Sequence, residues 1–396
     1  MNHSSNNYDA VIVGGGPAGT SAAIHLVAGG ARVLLAEQKK FPRAKLCGEF
    51  ISPECLEHFE RLGVADEMLE AGGCELTETR FYSRSGRSVN VPSEWFGGVY
   101  ASALGLSRAE MDARLLKRAR AVGVEVLEET QATGLLFENE RVRGVSLKTG
   151  GELLEINALV AIDATGRSRA LARRVERERQ TNRSALAGRP SLVAFKAHLE
   201  NANGARGHCE IYFYKGGYGG LSRVENNFSN LCFIARASDV RACGNDTGRV
   251  MREVLMKNAR AAQTLNSARA PAGWLAVALE GFGRRKLVPA AGLLSVGDAA
   301  SFIDPFTGSG MLMALESGEL AAQTIAHHLA MLRQGGAFDL PATAYRALYQ
   351  KTFGARLRVC ALMRRAAFVP RLAETLIFAL GASVRARRSL ARSTRR

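Results

Sequence analysis

The N-terminal part of the chain alternates between short apolar runs and a helical pattern. "YDAVIV" (8–13) has the length and composition of a buried strand, and a second such run, "ARVLLAE", ends at Glu37. Between them, "TSAAIHLVAGG" has the apolar spacing of a helix. A strand, a helix and a second strand within about 30 residues predict a β-α-β unit at the start of the chain.

Two kinds of strand are predicted further along. Short alternating runs over 75–100 and β-rich segments over 190–236, separated by Gly/Asn-rich turns, favour antiparallel strands. "ALVAIDATG" (158–166) and "GLLSVGDAA" (292–300) are continuous apolar runs that end in glycine turns, which is typical of strands buried on both faces. We therefore expect two separate sheets.

Helical patterns occupy the segments between and after these strands. "SRAEMDARLLKRARAVG" (107–123) places Leu and Met on one face, and 310–332 predicts one long helix. The last sixty residues also have a helical pattern. No run of 18 apolar residues occurs, so the sequence predicts no transmembrane helix.

A glycine motif lies between the first strand and the first helix. Gly14, Gly16 and Gly19 form GxGxxG: the first permits a tight turn, the second admits a pyrophosphate and the third lets helix pack on strand. The phosphates would lie at the helix N-terminus, where free N–H groups favour anions. Glu37 ends the second strand, where it can accept hydrogen bonds from a ribose and disfavours a 2′-phosphate. The motif predicts binding of FAD or NAD.

A second motif, "SVGDAASFIDPFTGSGM" (295–311), favours FAD. Asp298 stands at a strand end, where it can bind ribityl or sugar hydroxyls. The turn around Gly308 and Gly310 can place a second helix N-terminus near an electron-rich ring, which stabilises the negative charge of a reduced flavin.

These motifs, together with "SRAEMDARL", resemble the FAD-dependent oxidoreductases that include geranylgeranyl reductases, flavin-dependent halogenases and aromatic hydroxylases. The resemblance covers about residues 8–330. It implies an α/β fold with a glutathione-reductase-like, Rossmann-type FAD-binding domain, an inserted antiparallel β-sheet substrate domain and a helical C-terminus. It also places Arg108 near the pyrophosphate and ribityl chain. The residues thus predicted to bind FAD are Gly14, Gly16, Pro17, Ala18, Gly19, Glu37, Arg43, Cys47, Gly48, Arg108, Gly297, Asp298, Pro305, Gly308, Gly310 and Met311.

Three parts of the chain follow from these elements. The FAD-binding domain is discontinuous, and a substrate-binding sheet covers the cofactor. The predicted boundaries are 1–75, 101–185 and 281–332 for the FAD-binding domain, 76–100 and 186–280 for the substrate-binding sheet, and 333–396 for C-terminal helices with a basic tail.

Within the resemblance, the geranylgeranyl-reductase-like branch matches best, through "GDAASFIDPFTGSGM" and "CGEFIS". Hydroxylases usually carry a histidine and an asparagine where this chain has Ser301 and Leu312. The Trp-x-Trp-x-Ile-Pro pattern of halogenases is absent, and the only tryptophans are Trp95 and Trp274. A typical ring hydroxylase and a halogenase are therefore disfavoured.

The match to polyprenyl reductases is incomplete in the substrate sheet. Their Tyr-x-Trp-x-Phe-Pro segment corresponds to "GGYGGLSRVE" (216–225), which keeps Tyr218 but has Gly220 in place of the tryptophan. The smaller wall and Arg223 suit an aromatic or polyketide-like head group. An ordinary glycine-rich hairpin is the alternative.

Two reactions on a hydrophobic small molecule follow. A reductase would deliver hydride from reduced FAD to a C=C bond, with a proton from an acid or water. A monooxygenase would transfer oxygen from a flavin hydroperoxide to an aromatic or lipid-like substrate. NAD(P)H or another reductant would supply the electrons. A non-catalytic FAD-binding protein is a distant alternative.

"RAKLCGEFIS" (43–52) carries a candidate thiol. The resemblance places Cys47, Gly48 and Glu49 on a loop beside the isoalloxazine, with Arg43 near the cofactor entrance. Cys47 either tunes the flavin or contacts the substrate, or it is a small buried residue. Cys47 and Tyr218 are the candidate catalytic residues.

The seven cysteines form no CxxC pair and no Cys/His cluster, so no metal site is predicted. With 47% hydrophobic and 23% charged residues the composition is that of a globular protein. The N-terminus lacks the layout of a signal peptide, which favours reduced thiols and a cytoplasmic location.

Most of the net charge of +16 lies in the tail. Residues 355–396 contain eleven arginines and one acid, Glu374. Such a basic, partly apolar segment can lie on the inner face of an anionic membrane. Alternatively, it is a C-terminal helix packed on the FAD-binding domain, followed by a disordered, solubilising end. No nucleic-acid partner is expected, because no recognition fold accompanies the charge.

Overall fold

The structure, a computed structural model, describes residues 7–179, 191–279 and 281–395. Among these, the strands are β1 (Asn7–Val13), β2 (Val33–Ala36), β3 (Phe50–Ile51), β4 (Cys74–Leu76), β5 (Glu78–Tyr82), β6 (Ser88–Pro92), β7 (Ala103–Gly105), β8 (Glu125–Leu127), β9 (Thr130–Glu138), β10 (Arg141–Thr149), β11 (Glu152–Asp163), β12 (Leu192–Leu199), β13 (His208–Tyr214), β14 (Gly217–Arg223), β15 (Ser229–Arg236), β16 (Leu275–Leu279), β17 (Gly283–Arg284), β18 (Leu293–Ser295) and β19 (Ser301–Phe302). The α-helices are α1 (Pro17–Ala28), α2 (Pro53–Leu62), α3 (Ala65–Leu69), α4 (Arg108–Ala121), α5 (Ala170–Arg179), α6 (Ala237–Ala242), α7 (Thr247–Glu253), α8 (Ala259–Leu265), α9 (Gly310–His327), α10 (Leu329–Arg333), α11 (Asp339–Ala367), α12 (Pro370–Gly381) and α13 (Val384–Ser393).

The first large sheet has the order β8-β2-β1-β11-β10-β9, with β18 paired to the end of β11. Its pairs β8-β2, β2-β1, β1-β11 and β11-β18 are parallel, and β9 and β10 add an antiparallel hairpin. In register, Val13 lies opposite both Ala36 and Asp163. The carboxyl ends of the parallel strands therefore meet at one edge, where doubly wound sheets bind their ligands.

Helices α1 and α9 pack closely beside this sheet. A Cβ on Gly318 of α9 would overlap the carbonyl oxygen of Ala18 in α1, so only glycine permits this approach. Ser21 of α1 donates to the carbonyl oxygen of Leu315 at 2.8 Å. The two helices thus hold the glycine motif and the 295–311 motif in fixed relation, although they lie almost 300 residues apart in sequence.

The second large sheet has the order β16-β12-β15-β14-β13-β5-β6. All pairs are antiparallel except β13 with β5, which is parallel. The all-antiparallel expectation is wrong at this one pair. β5 and β6 come from a separate chain segment, so no tight hairpin fixes the direction of β5 against β13.

The long helix predicted over 310–332 is instead two helices, α9 and α10. The ring Nδ1 of His328 lies 2.9 Å from the carbonyl oxygen of Thr324, which an uninterrupted helix would offer to the backbone N–H of His328. That N–H bonds the carbonyl oxygen of Ile325 instead, at 3.0 Å. The side chain therefore competes with the helical hydrogen bond.

The overall architecture confirms the predicted fold class: a Rossmann-like α/β sheet, a separate largely antiparallel sheet and a helical C-terminus. The predicted boundary between residues 185 and 186 falls within 180–190, outside the described residues. Among the residues that are described, no helix is both long and apolar enough to cross a membrane.

Candidate active site

A cavity of about 430 Å³ lies at the carboxyl ends of the parallel strands. Its wall includes Val13 at the end of β1, Ala36 at the end of β2 and Val296 directly after β18. We call it the first cavity. The sequence-predicted residues that line it are Gly14, Gly16, Pro17, Ala18, Glu37, Arg43, Cys47, Gly48, Arg108, Gly297, Asp298, Gly308, Gly310 and Met311.

The glycine motif forms one wall of the first cavity. Gly14 has φ 111°, and a Cβ there would overlap the carbonyl oxygen of Ala164. Gly16 is the N-cap of α1, so this helix begins at the cavity. Gly19 does not line the cavity; a Cβ on it would overlap the carbonyl oxygen of Gly14. This close approach agrees with the packing of helix on strand that the motif predicts for the third glycine.

The buried Glu37 side chain is oriented by the backbone around it. Its Oε2 accepts from the Gly15 N–H at 2.9 Å, and its Oε1 accepts from the Lys39 N–H at 3.0 Å. The Arg43 guanidinium lies 3.6 Å away. These contacts fix the carboxylate while it lines the cavity, and each oxygen keeps a lone pair for a ligand hydroxyl.

Arg108 is held by a partner that the sequence analysis missed. Its guanidinium makes two hydrogen bonds to Asp112, at 2.8 and 2.7 Å, one turn further along α4. Burial opposes the charge, but the Asp112 carboxylate raises the pKa of Arg108 above its usual value. Asp112 also accepts from Arg43 at 3.0 Å. The i, i+4 spacing of Arg108 and Asp112 on a predicted helix was the available signal.

The first cavity is rich in cations. Lys45 and Arg167, which the sequence analysis also missed, line it together with Arg43 and Arg108. Burial, reinforced by Arg43 and Arg108, lowers the pKa of Lys45. Arg108 is buried, Arg43 and Arg167 are half-buried, and Lys45 is exposed over the residue as a whole. Four cations around one cavity raise the local concentration of anions, so the cavity favours an anionic ligand.

Asp298 faces the first cavity from the strand end where the motif predicted it. Burial raises the pKa of its carboxyl group, and Arg167 is the strongest opposing influence. No hydrogen bond to this carboxylate is found among the described residues, so its acceptor capacity is available to a ligand.

The turn that precedes α9 also faces the first cavity. Gly308 has φ 64° and Gly297 has φ 57°, both in the left-handed region that favours glycine. α9 begins at Gly310, with Met311 beside it. Pro305 begins a short 3₁₀ turn, Pro305–Thr307, ahead of them. A second helix N-terminus is therefore directed at the cavity, as the sequence predicts.

The loop that carries Cys47 forms the opposite wall. The Cys47 Sγ accepts from the Glu49 N–H at 3.5 Å, and its thiol lies near enough to Arg108 to affect the arginine's pKa. The carbonyl oxygen of Cys47 accepts from Asn230 at 3.1 Å. A Cβ on Gly48 would meet no atom within 4 Å, so that position borders open space.

Glu49 anchors this loop, and the sequence analysis gave it no role. Its fully buried carboxylate accepts from the Arg108 N–H at 2.9 Å, pairs with the His198 ring at 2.6 Å and accepts from the buried Lys196 ammonium. Its φ of 53° is uncommon for a non-glycine residue and is maintained by these partners. Burial would raise the pKa of Glu49, but the hydrogen bond from His198 and the Lys196 charge hold it below its usual value.

A second cavity, of about 220 Å³, adjoins the first. It lies between strands β15, β14, β13, β5 and β6 of the second large sheet and the C-terminal helices. The two cavities share Gly48, Phe50, Cys232, Ile234 and Gly308. The side chains that line the second cavity are almost all apolar. Among them are Phe81, Val89, Val91, Phe96, Ile211, Phe213, Phe306, Met363, Leu376, Ile377, Leu380 and Leu390.

Tyr218 lines the second cavity and not the first. Its buried phenol donates a hydrogen bond to the Asp304 carboxylate. The same phenol oxygen accepts a hydrogen bond from the Phe306 backbone N–H at 3.2 Å. Burial, then the Asp304 charge, raises the pKa of Tyr218 well above its usual value, so the phenol is neutral. Burial also raises the pKa of Asp304 to about 6.

Gly220, where polyprenyl reductases have tryptophan, also lines the second cavity. A Cβ there would lie 3.2 Å from Ile211, so a large side chain would displace its neighbours or fill the cavity. Arg223 is outside the residues that line either cavity, because it ends β14 beyond the cavity wall. The role expected of Arg223 toward a head group stays a prediction.

The basic C-terminus packs against the protein in this structure. Arg387 of α13 donates to Asn90 of β6, at 3.0 Å to the carbonyl oxygen and 2.6 Å to Oδ1. The buried Arg395 donates to the carbonyl oxygen of Gly308 at 3.0 Å. Both arginines line the second cavity. Helix α13 thus covers the second cavity, and the residues after it reach the Gly308 turn of the FAD-binding domain.

The first cavity fits FAD. Gly14 and Gly16 carry no side chain, so a pyrophosphate could approach their backbone closely. The N-termini of α1 and α9 both face this cavity, and helix N-termini favour anions. Glu37 would hold the ribose, Asp298 the ribityl chain, and the α9 N-terminus the electron-rich end of the ring. FAD, when bound, would supply two-electron redox chemistry.

Curated proteins similar to this chain include reductases. A digeranylgeranylglycerophospholipid reductase from Methanosarcina acetivorans is 27% identical over 323 residues, 80% of this chain and 74% of that protein. A menaquinone reductase from Mycolicibacterium smegmatis is 25% identical over 388 residues, 92% of this chain and 86% of that protein. These relatives confirm the expectation of an FAD-dependent oxidoreductase.

Solved structures share the fold. A geranylgeranyl bacteriochlorophyll reductase-like protein from Thermoplasma acidophilum superposes with a TM-score of 0.77 at 21% identity, covering 97% of this chain and 95% of that one. The flavin-dependent brominase Bmp2 superposes with a TM-score of 0.78 at 21% identity, covering 98% and 94%. Residues 7–339 match the FAD binding domain family, and the chain therefore belongs to this family.

Proposed function

We propose that this flavoenzyme transfers hydride to a C=C bond of a hydrophobic molecule held in the second cavity. The observation that carries the proposal is the apolar second cavity that shares a wall with the first at Gly48, Phe50 and Gly308. A substrate in the second cavity would lie directly against the predicted flavin, with no layer of water between the two. The named relatives, which are reductases of isoprenoid lipid and of menaquinone, support the same class of substrate.

The chain's own groups have defined tasks in this reaction. The apolar lining excludes water and positions the substrate. Tyr218 keeps a neutral O–H in the second cavity, while the Cys47 thiol faces the first. Either group could deliver the proton to the second carbon of the C=C bond. In Tyr218 this proton is the one that the phenol shares with Asp304 in a hydrogen bond. NAD(P)H or another reductant supplies the electrons.

The test is anaerobic. Holoenzyme is reduced by NADPH, or by dithionite if NADPH fails, and flavin absorbance is followed after addition of geranylgeraniol or menaquinone-4. With geranylgeraniol, reoxidation with a product two mass units heavier supports the proposal. With menaquinone-4, reduction of the ring to the quinol also adds two mass units, so support requires that fragmentation locate both added hydrogens on the isoprenoid side chain. Reoxidation by O₂ alone, with a product sixteen mass units heavier, would establish a monooxygenase in its place. Tyr218→Phe and Cys47→Ala, compared at equal FAD content, separate the two proton donors.

We also propose that the C-terminal helices contact an anionic membrane. Large apolar side chains are exposed there beside arginines on the surface of α12 and α13. Phe378 is 69% exposed and Leu376, which also lines the second cavity, is 40% exposed. The arginines exposed on these two helices are Arg371, Arg385, Arg388 and Arg392. A basic surface that also exposes apolar groups complements anionic lipid, with about 1 kcal/mol for each cation near the membrane.

Substitution tests this contact better than deletion, since deleting α13 would also uncover the second cavity. Phe378→Ser should weaken binding to vesicles of phosphatidylglycerol and phosphatidylcholine about tenfold, from the apolar area withdrawn from lipid. Arg388→Gln should weaken it about fivefold and only with anionic lipid. Phe137→Ser on β9, 42% exposed, is the matched control. Equal co-sedimentation of all variants would refute the contact.

A further inference from the structure

Arg395, near the end of the chain, is buried inside the protein. One guanidinium nitrogen donates to the Gly308 carbonyl oxygen at 3.0 Å. The guanidinium carbon lies 4.2 Å from the centre of the Phe96 ring, and Nε is 3.6 Å from a carboxylate oxygen of Glu54. Arg356 in turn donates to the backbone carbonyl oxygen of Arg395. The chain end is therefore held in place by contacts from α2, α11 and the glycine turn.

Two donor nitrogens of this guanidinium have no hydrogen-bond acceptor among the described residues. These are Nη2 and Nε of Arg395, which is 5% exposed and lines the second cavity. Nε faces the Glu54 carboxylate, whose two oxygens also accept no hydrogen bond from the described residues, at 3.6 Å, so Nη2 is the donor without a nearby acceptor among them. Burial lowers the pKa of Arg395 despite the nearby Glu54 charge. Unsatisfied buried donors cost free energy, so this arginine is prepared for an acceptor that enters the cavity.

The charges around Arg395 indicate which acceptor fits. Arg395 is accompanied by Glu54, and the neighbouring Arg356 is paired with Glu316. Two cations are thus balanced by two carboxylates. A neutral oxygen acceptor would satisfy the free donors without adding an uncompensated buried charge, whereas a carboxylate or phosphate would add one.

We propose that Arg395 binds a neutral carbonyl oxygen of the substrate, so that the substrate class is an apolar molecule bearing a quinone, enone or ester carbonyl. The inference rests on the proposed function, in which the second cavity holds the substrate. Because Gly308 lines both cavities and accepts from Arg395, the carbonyl would lie at the end of the second cavity nearest the predicted flavin. A conjugated carbonyl there would be polarised beside the reacting bond.

The experiment uses the full chain with a free C-terminus, loaded with oxidised FAD and without reductant. Isothermal titration compares 2,3-dimethyl-1,4-naphthoquinone with 2,3-dimethylnaphthalene, which differ only in the two carbonyl oxygens. Wild type should bind the quinone about tenfold to a hundredfold more tightly than the hydrocarbon. Arg395→Met should reduce that ratio to about two while hydrocarbon affinity changes less than twofold. Arg395→Lys, which keeps a donor, should retain part of the preference.

Arg392→Met is the matched control, because Arg392 is exposed on α13 three residues before Arg395, and this variant should retain the full ratio. FAD content and melting temperature confirm that each variant is folded. An unchanged ratio in Arg395→Met, or equal weakening of both ligands, would overturn the assignment. Tighter binding of naphthalene-2-carboxylate than of the quinone, lost in Arg395→Met, would overturn the neutral acceptor. Failure of wild type to bind the hydrocarbon would instead overturn the apolar substrate cavity of the proposed function.

Discussion

Removing the charge of Glu49 should destabilise the wall between the two cavities. In Glu49→Gln the side chain keeps its shape and can still accept from the Arg108 N–H. It can no longer neutralise Lys196, which is 3% exposed and has its ammonium group against Glu49. Breaking a buried ion pair by removing one partner typically costs about 3–5 kcal/mol. We expect the low end, about 3 kcal/mol, because the amide preserves one hydrogen bond.

Urea unfolding at pH 7, followed by flavin fluorescence, measures the difference. Glu138→Gln is the matched control, since Glu138 pairs with Arg143 at 2.9 Å but its side chain is 63% exposed. Its stability should stay within about 0.5 kcal/mol of wild type. If Glu49→Gln is as stable as Glu138→Gln at an equal m-value, the buried cluster adds no net stability and the reasoning fails.

The pH dependence gives a second check on Glu49. Its pKa is lower in the folded protein than the usual 4.5. A lowered carboxyl pKa contributes stability that is full above the unfolded value and lost as pH falls through the folded value. The difference between wild type and Glu49→Gln should therefore be constant near neutral pH and shrink below about 4.5. A difference that grows on acidification would contradict the assignment of the charge to Glu49.

Three further predictions concern the first cavity and its surroundings. Gly14→Ala should yield protein without bound FAD, seen as loss of flavin absorbance at normal expression, because φ is 111° and a Cβ would overlap a backbone carbonyl. Asp112→Asn should lower stability by about 3–5 kcal/mol by leaving Arg108 unpaired, and excess FAD should recover part of the loss in thermal melts. Tyr218→Phe should raise the pKa of Asp304 above about 6, since the lost hydrogen bond opposed the effect of burial. In wild type the folded-state pKa of Asp304 is raised to about 6, so its contribution to stability is lost as pH rises through about 6. In Tyr218→Phe the same contribution should be lost at a higher pH, which urea unfolding at a series of pH values would measure.

The parts of the site that follow from local sequence were predictable. Gly14 and Gly16 act through the turn in which they stand, and Glu37 is placed by the end of its own strand. The spacing of such residues fixes their relative positions, since strand and helix geometry is regular. The same applies to Asp298 and Gly310, which lie within one short motif, 295–311. Their specific roles toward FAD stay predictions.

The rest of the site depends on contacts between distant segments. Glu49 contacts Lys196 and His198, which are 147 and 149 residues away in sequence, because the loop before β3 lies against β12 of the second large sheet. Nothing in the local pattern of "KLCGEF" distinguishes Glu49 from a surface acid. Likewise, the arginines of the tail have the composition of a membrane-binding or solubilising segment, and only the packing of α13 separates the buried Arg395 from the exposed Arg392.

The wall between the two cavities contains Gly48 and Gly308, each of which faces both the predicted flavin site and the proposed substrate site. Gly308 stands on the turn that faces the predicted flavin, and its carbonyl oxygen is also the acceptor for Arg395. Gly48 lies on the loop that Glu49 anchors to the substrate sheet, and it borders open space in both cavities. A ligand oxygen bound by the free Nη2 of Arg395 would lie beside this turn, because Nη1 of the same guanidinium donates to Gly308. Substrate binding and flavin environment should therefore be coupled through Gly308, without any movement of the domains.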